Sequence, residues 1–313
     1  MRELIVISGK GGTGKTSITA SFAALAGKSV IADCDVDAAD LHLVLSPRVI
    51  ERHDFRAGNR AIIRQSDCIQ CGSCLCCRFD AVKIEKLATG EERYFIEPFS
   101  CEGCGLCVRL CPTQAIDFPE QLCGEWMVSE TRFGPMVHAQ LGIAAENSGK
   151  LVTTVRQQAR RLAEENHIDL IVVDGPPGIG CPVIASITGA TSVLTVTEPT
   201  LSGRHDLKRV LTLTRHFDIP AMVCVNKWDL NPEITELIEQ DALQSGAQIV
   251  GRICYDPEVT RAQIEAQASV ERQGPASQQI NDLWHNVVSH LQNARGGGQD
   301  TASTAANSRA SEN

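Results

Sequence analysis

The chain has 313 residues, 43% hydrophobic and 21% charged, enough for one large globular domain and a small one. A net charge of −9 and an aromatic content of 4% argue against binding nucleic acid through its phosphates or by base stacking. No export signal precedes the first strand and no apolar run is long enough to span a bilayer, so a cytoplasmic protein without membrane insertion is expected.

Residues 4–8 read as a buried strand, followed by GKGGTGKT at 9–16 and a helix over 17–26. This is G-x-x-x-x-G-K-[ST] in the strand–loop–helix context that it requires. Gly9, Gly11, Gly12, Thr13 and Gly14 let backbone N–H groups curl around phosphate oxygens, and the helix beginning near Ser17 adds its positive end. Lys15 reaches the β- and γ-phosphates and Thr16 holds Mg²⁺. A second strand, 29–33, leads into IADCDVDAAD, which carries Asp33, Asp35 and Asp37.

Between about residues 61 and 119 the strand–helix rhythm breaks, and nine of the fourteen cysteines fall between Cys68 and Cys111. Two-residue spacings without an export signal point to metal rather than disulfides. Cys101-x2-Cys104-x2-Cys107-x3-Cys111-Pro112 is the bacterial ferredoxin run, in which three thiolates serve one [4Fe–4S] cluster and the fourth its neighbour. The preceding run, Cys68, Cys71 and Cys74, has Arg78 at the expected fourth position, with Cys76 and Cys77 just short of it. Cys77 precedes Arg-Phe-Asp-Ala-Val, which resembles the usual continuation after a fourth ligand. One cluster is then expected on Cys68, Cys71, Cys74 and Cys111, and a second on Cys101, Cys104, Cys107 and Cys77, with Cys76 spare or competing.

Strands at 169–174, 191–197, 221–226 and 248–251 alternate with helices at 151–166, 203–217 and 232–245. Such alternation implies an α/β fold, a mostly parallel sheet with helices on both faces, interrupted by a small α+β insert. The expected domains are 1–60 with 120–292, an inserted 61–119, and a polar, disordered tail over 295–313. Residues 278–292 put Ile280, Trp284, Val287 and Leu291 on one helix face with almost no Lys or Arg, a pattern for docking on the protein's own core.

KGGTGKT, with Lys10 as a second lysine, resembles the deviant Walker A loop of the MinD/ParA/nitrogenase-iron-protein superfamily. Three later features extend the resemblance: the Asp33–Asp35–Asp37 loop, Asp174 in IDLIVVDGPPGIG, and Asn226 in NKWD. It implies that Lys10 reaches across an ATP-dependent homodimer, Asp33 serves the Mg²⁺ water shell, Asp35 acts in switch I, Asp174 lies beside Mg²⁺, and Asn226 contacts adenine. Cys181, seven residues past Asp174, resembles the nitrogenase iron protein's cluster cysteine; a buried structural thiol is the other reading. Cys123 is a second candidate thiol, while Cys34, Cys224 and Cys254 read as core residues. His138 and Arg204 read either as groups near the switches or as structural residues.

With the insert, the sequence resembles MinD-superfamily ATPases carrying a ferredoxin domain with two [4Fe–4S] clusters. This implies a Mg²⁺-dependent ATPase, cycling between ATP and ADP, that couples nucleotide state to electron transfer or to metal-cofactor assembly on a partner protein. An iron–sulfur scaffold or carrier and a MinD/ParA-type spatial organiser are the alternatives. The first is disfavoured because Cys181-Pro182 is followed by Val183 and Ile184, not a second cysteine.

Overall fold

Unbroken Leu, Ile and Val runs make strands that are buried on both faces, and they form the centre of the sheet. A computed structural model describes residues 1–142 and 147–293; the tail expected at 295–313 lies outside the described residues. The chain runs β1 (Arg2–Ser8), α1 (Lys15–Leu25), β2 (Val30–Asp33), α2 (Leu41–Leu45) and β3 (Arg48–Asn59). Then come β4 (Ile62–Ile63), β5 (Val82–Lys86), β6 (Glu92–Ile96), α3 (Leu106–Leu110), β7 (Ile116–Asp117), β8 (Glu120–Thr131) and β9 (Gly134–Leu141). The last stretch is α4 (Ser148–Glu165), β10 (Leu170–Pro177), α5 (Cys181–Ile187), β11 (Ser192–Thr197), α6 (Leu201–His216) and β12 (Ala221–Asn226). It ends with α7 (Pro232–Gln244), β13 (Gln248–Ile253), α8 (Pro257–Ile264) and α9 (Pro275–Asn293).

Nine strands form one sheet in the order β13-β12-β11-β1-β10-β2-β9-β8-β3, and the pairs from β13 through β9 are parallel. This is the α/β, mostly parallel sheet expected from the alternation. Its addition to that reading is β3, β8 and β9. On β3 and β8 residue numbers run in opposite senses, since Arg48 pairs with Glu130 and Arg52 with Glu125. Charged side chains along β3 protect this sheet edge, and cross-strand ion pairs set its register.

Two compact units divide the described chain: residues 1–53, 125–141 and 148–293 in one, and 54–124 with 142 and 147 in the other. The second unit extends beyond 61–119 on both sides, because β3 runs to Asn59 and β8 begins at Glu120. It contains two small sheets, β4 with β7 and β5 with β6. Its apolar centre is Ala61, Ile63 and Ile116, against which several cysteines pack.

In the first unit, Ile280, Trp284, Val287 and Leu291 of α9 are buried against the main core, with the Trp284 ring 4.9 Å from that of Phe22. Each such side chain contributes roughly 1.5–3 kcal/mol when fully buried. The apolar face of α9 is therefore occupied. Among the described residues no helix is long and apolar enough to cross a membrane.

Candidate functional site

Parallel strands place their connecting loops at one end of the sheet, and β1, β2, β10 and β12 all deliver candidate residues there. After β1 the loop turns through Gly12 and Gly14, both with positive φ. At Gly14 only glycine fits on two counts: φ is 86°, and a Cβ would lie 2.4 Å from Asn226 Nδ2. Helix α1 then starts with no side-chain cap and no acid in its first turn, leaving its N–H groups open to an anion.

Lys15 is buried beneath this loop, its Nζ 2.8 Å from Asp174 Oδ1 and 3.4 Å from Asp35 Oδ2. Thr16 Oγ1 donates to Asp174 Oδ2 at 2.8 Å, and Thr19 Oγ1 to Asp174 Oδ1 at 3.0 Å. Burial works against the Lys15 ammonium, but Asp174 and Asp35 outweigh it and hold its pKa above the usual lysine value. Asp33 is fully buried, and desolvation together with Asp174 raises its pKa well above the carboxylate range. Burial likewise raises that of Asp35, with Asp174 adding to it against Lys15. Three carboxylates thus share one lysine.

Asp33 Oδ1 accepts the Asp35 N–H at 3.1 Å, whereas Asp33 Oδ2 and Thr13 Oγ1 are buried without a protein partner. Buried polar atoms of this kind call for a ligand. The donor set of Thr16, Asp33 and Asp174, hard oxygens beside a phosphate loop, fits Mg²⁺. The open cleft around the loop holds about 1360 Å³.

At the far end of the cleft, Asn226 Nδ2 donates to Thr13 O at 2.8 Å and its Oδ1 accepts the Lys227 N–H at 3.0 Å. The Asn226 amide therefore braces the phosphate loop. Asp229, the acid of NKWD, accepts the Tyr255 N–H at 2.7 Å and so supports the backbone leading to α8. Val259, Thr260 and Gln263 of α8 form the far wall, with Gln263 Nε2 donating to Ser17 Oγ at 2.7 Å. Sequence reasoning missed these three; an Asp-Pro helix start directly after a strand was the available signal.

Lys10 lies apart from Lys15. Its Nζ donates to Thr200 Oγ1 and Ser202 Oγ at 3.4 and 3.3 Å, with Glu198 Oε2 at 3.6 Å. Cys181 is exposed at the start of α5. The other end of α5 is fixed by Arg156, which donates to the carbonyls of Ala185 and Thr188 and forms a buried pair with Glu3 at 2.8 Å. Arg204 is paired with Asp241, a structural role. His138 is buried against Ser129 at 2.8 Å, and burial lowers its pKa to about 4, so it is neutral near pH 7. Cys34 and Cys224 are core thiols, and Cys254 is half-buried.

In the second unit the eight candidate cysteines fall into two sets. Cys68, Cys71, Cys74 and Cys111 line one cavity, of about 330 Å³ open to solvent, and Cys77, Cys101, Cys104 and Cys107 line another, of about 410 Å³. Cys76 belongs to neither set: it is exposed and donates to Ser73 O at 3.2 Å. Cys123 is buried and donates to Ala57 O at 3.1 Å. The Ala115 N–H donates to Cys111 Sγ at 3.3 Å, and burial pushes the Cys107 thiol to about 11.

Among the described residues no three His, Cys, Asp or Glu side chains converge as a single metal ion requires. Zinc needs four ligands on one centre.

A family model for the CobQ/CobB/MinD/ParA nucleotide binding domain matches residues 4–270. Uncharacterized protein MJ0578 of Methanocaldococcus jannaschii is 33% identical over 239 residues, 73% of this chain and 79% of that protein. MJ0579 of the same organism is 25% identical over 241 residues, 74% and 83% of the two chains. Among solved structures, the MinC:MinD cell division complex of Aquifex aeolicus matches with a TM-score of 0.55 at 18% identity, over 92% of this chain and 96% of that one. MinD with Mg-ADP from Pyrococcus horikoshii matches with a TM-score of 0.52 at 16% identity, over 94% and 98%. These two likenesses are of fold.

Proposed function

The chain belongs to the CobQ/CobB/MinD/ParA nucleotide-binding family, and from that premise we propose that it is a Mg²⁺-dependent ATPase coupling nucleotide state to iron–sulfur chemistry. The work done is electron transfer to a partner protein or assembly of a metal cofactor on it. One observation carries the iron–sulfur half of this reading: eight cysteines divide four and four between two cavities in a chain that also has a phosphate loop.

ATP is the substrate. Its phosphates would take Lys15 from Asp174; Thr16 and Asp33 would hold Mg²⁺, which would neutralise phosphate charge, and Asp35 would orient the attacking water. Released from Lys15, Asp174 can shift, and with it the Gly175–Gly180 segment leading to Cys181. The second lysine of the phosphate loop, Lys10, favours adenine over guanine as the base by the family resemblance. Lys10 reaches the nucleotide of a second copy, making the closed form a homodimer. When bound, [4Fe–4S] clusters would supply one-electron transfer; Cys68, Cys71, Cys74 and Cys111 would hold one, and Cys77, Cys101, Cys104 and Cys107 the other.

A cluster carrier is the second reading, favoured by the exposure of Cys181. Val183 and Ile184 leave it without the second cysteine of a C-P-x-C pair, so a carrier would have to pair Cys181 from two copies. Spatial organisation of the MinD kind is disfavoured because the apolar face of α9 is buried in its own core. Anaerobic purification with iron counting and EPR tests the main reading: about eight irons per chain support it, and a chain that binds ATP but no iron refutes it.

A further inference from the structure

Glu198 follows the last residue of β11 and holds two lysines at once. Its Oε1 accepts from Lys227 Nζ at 2.5 Å, and its Oε2 lies 3.6 Å from Lys10 Nζ. Lys227 Nζ also donates to Gly12 O at 3.4 Å, so one carboxylate ties the phosphate loop, NKWD and Lys10 together. The turn that presents it is tightly built. Thr200 N–H donates to Glu198 O at 2.8 Å, Thr200 Oγ1 caps α6 at Gly203, and a Cβ at Gly203 would lie 2.5 Å from Glu198 O. The backbone at Glu198 is therefore fixed by the start of α6. Lys10 is the mobile member, a partly exposed ammonium on a flexible stem with two further hydroxyl partners, Thr200 and Ser202.

We propose that Glu198 is a positioning residue that anchors Lys10 on its own chain and releases it only to the nucleotide phosphates of a second copy. The proposal rests on the reading of Lys10 as the residue that crosses between copies. Lys227 keeps its contacts to Glu198 and Gly12 throughout, so release of Lys10 does not loosen the loop. Exchanging one charge-assisted partner for another makes the anchor worth a few-fold in dimer affinity, enough to keep stray closure low without blocking it.

The test is the dimer dissociation constant of the full chain with Mg²⁺ and a non-hydrolysable ATP analogue, by sedimentation. Glu198→Gln is expected to tighten the dimer about three- to tenfold. Ser202→Ala, at an exposed position, should act in the same direction but less. This variant, which leaves the Glu198–Lys227–Gly12 contacts in place, should bind the analogue as wild type does at concentrations where it is monomeric. Added to Lys10→Ala, Ser202→Ala should have no further effect, because its influence passes through Lys10; a purely structural Ser202 would still act in that background. Wild-type or weaker dimerisation by both Glu198→Gln and Ser202→Ala, with Lys10→Ala impaired, overturns the anchor alone. Wild-type dimerisation by Lys10→Ala overturns the underlying reading and the anchor with it.

Discussion

Lys15 Nζ lies 2.8 Å from Asp174 Oδ1, so the lysine that would meet the phosphates is bound to an acid within the neighbouring strand β10. β1 and β10 are adjacent and parallel, with Val6 opposite Asp174, and this register brings the phosphate loop and Asp174 together. The pair makes the site a charge relay point. Whatever takes Lys15 leaves Asp174 held by the hydroxyls of Thr16 and Thr19 alone, and Asp174 is joined to α5 by a glycine-rich segment.

Lys15→Ala removes the phosphate contact and leaves Asp33, Asp35 and Asp174 without their shared cation. Hydrolysis should fall by at least about a hundredfold, as when a charge-stabilising group is removed from a reacting site. Phosphate release at saturating ATP measures this.

The cysteine sets give a second prediction. Cys77→Ser should lower iron content per chain, while Cys76→Ser should leave it at the wild-type value. Iron assay on anaerobically purified variants checks both, and equal losses would remove Cys77 from its set.

Much of this site is legible in the sequence because its chemistry is local. The phosphate loop, Asp33, Asp174 and the cysteine spacings each sit within a few residues of a strand end or a turn. Glu198 is not legible: nothing in TEPTLSGR marks it, and its partners Lys10 and Lys227 lie 188 residues before it and 29 after it. Strand β3 escapes for another reason. Its residues from Arg48 to Asp54 are exposed, so RVIERHD carries neither an apolar run nor a clean alternation. Only pairing with β8 makes it a strand.

His138 gives the pH prediction. Its folded pKa, about 4, lies below the unfolded value near 6.5, so below pH 6.5 the unfolded chain binds the extra proton. Stability is therefore full above about pH 6.5 and is lost as pH falls towards 4, by about 2 kcal/mol between pH 7 and pH 5. Urea unfolding at several pH values checks this, and His138→Gln should remove that part of the slope.

Arg156→Ala should be among the most damaging changes away from the cleft. It leaves the buried Glu3 carboxylate with Arg160 alone as its guanidinium partner and uncaps the end of α5, costing about 3 kcal/mol. Melting should drop by roughly 10 °C. Arg160→Ala added to Arg156→Ala should deepen the loss, because Glu3 then has no cation left among its described partners.

Nucleotide state and cluster potential should move together. The direct measurement is an EPR-monitored redox titration of the anaerobically purified chain, with Mg-ADP and with a non-hydrolysable ATP analogue. Coupling predicts that at least one cluster signal shifts its midpoint by about 60 mV, tenfold in a one-electron equilibrium. Superimposable titrations in the two nucleotide states would contradict it.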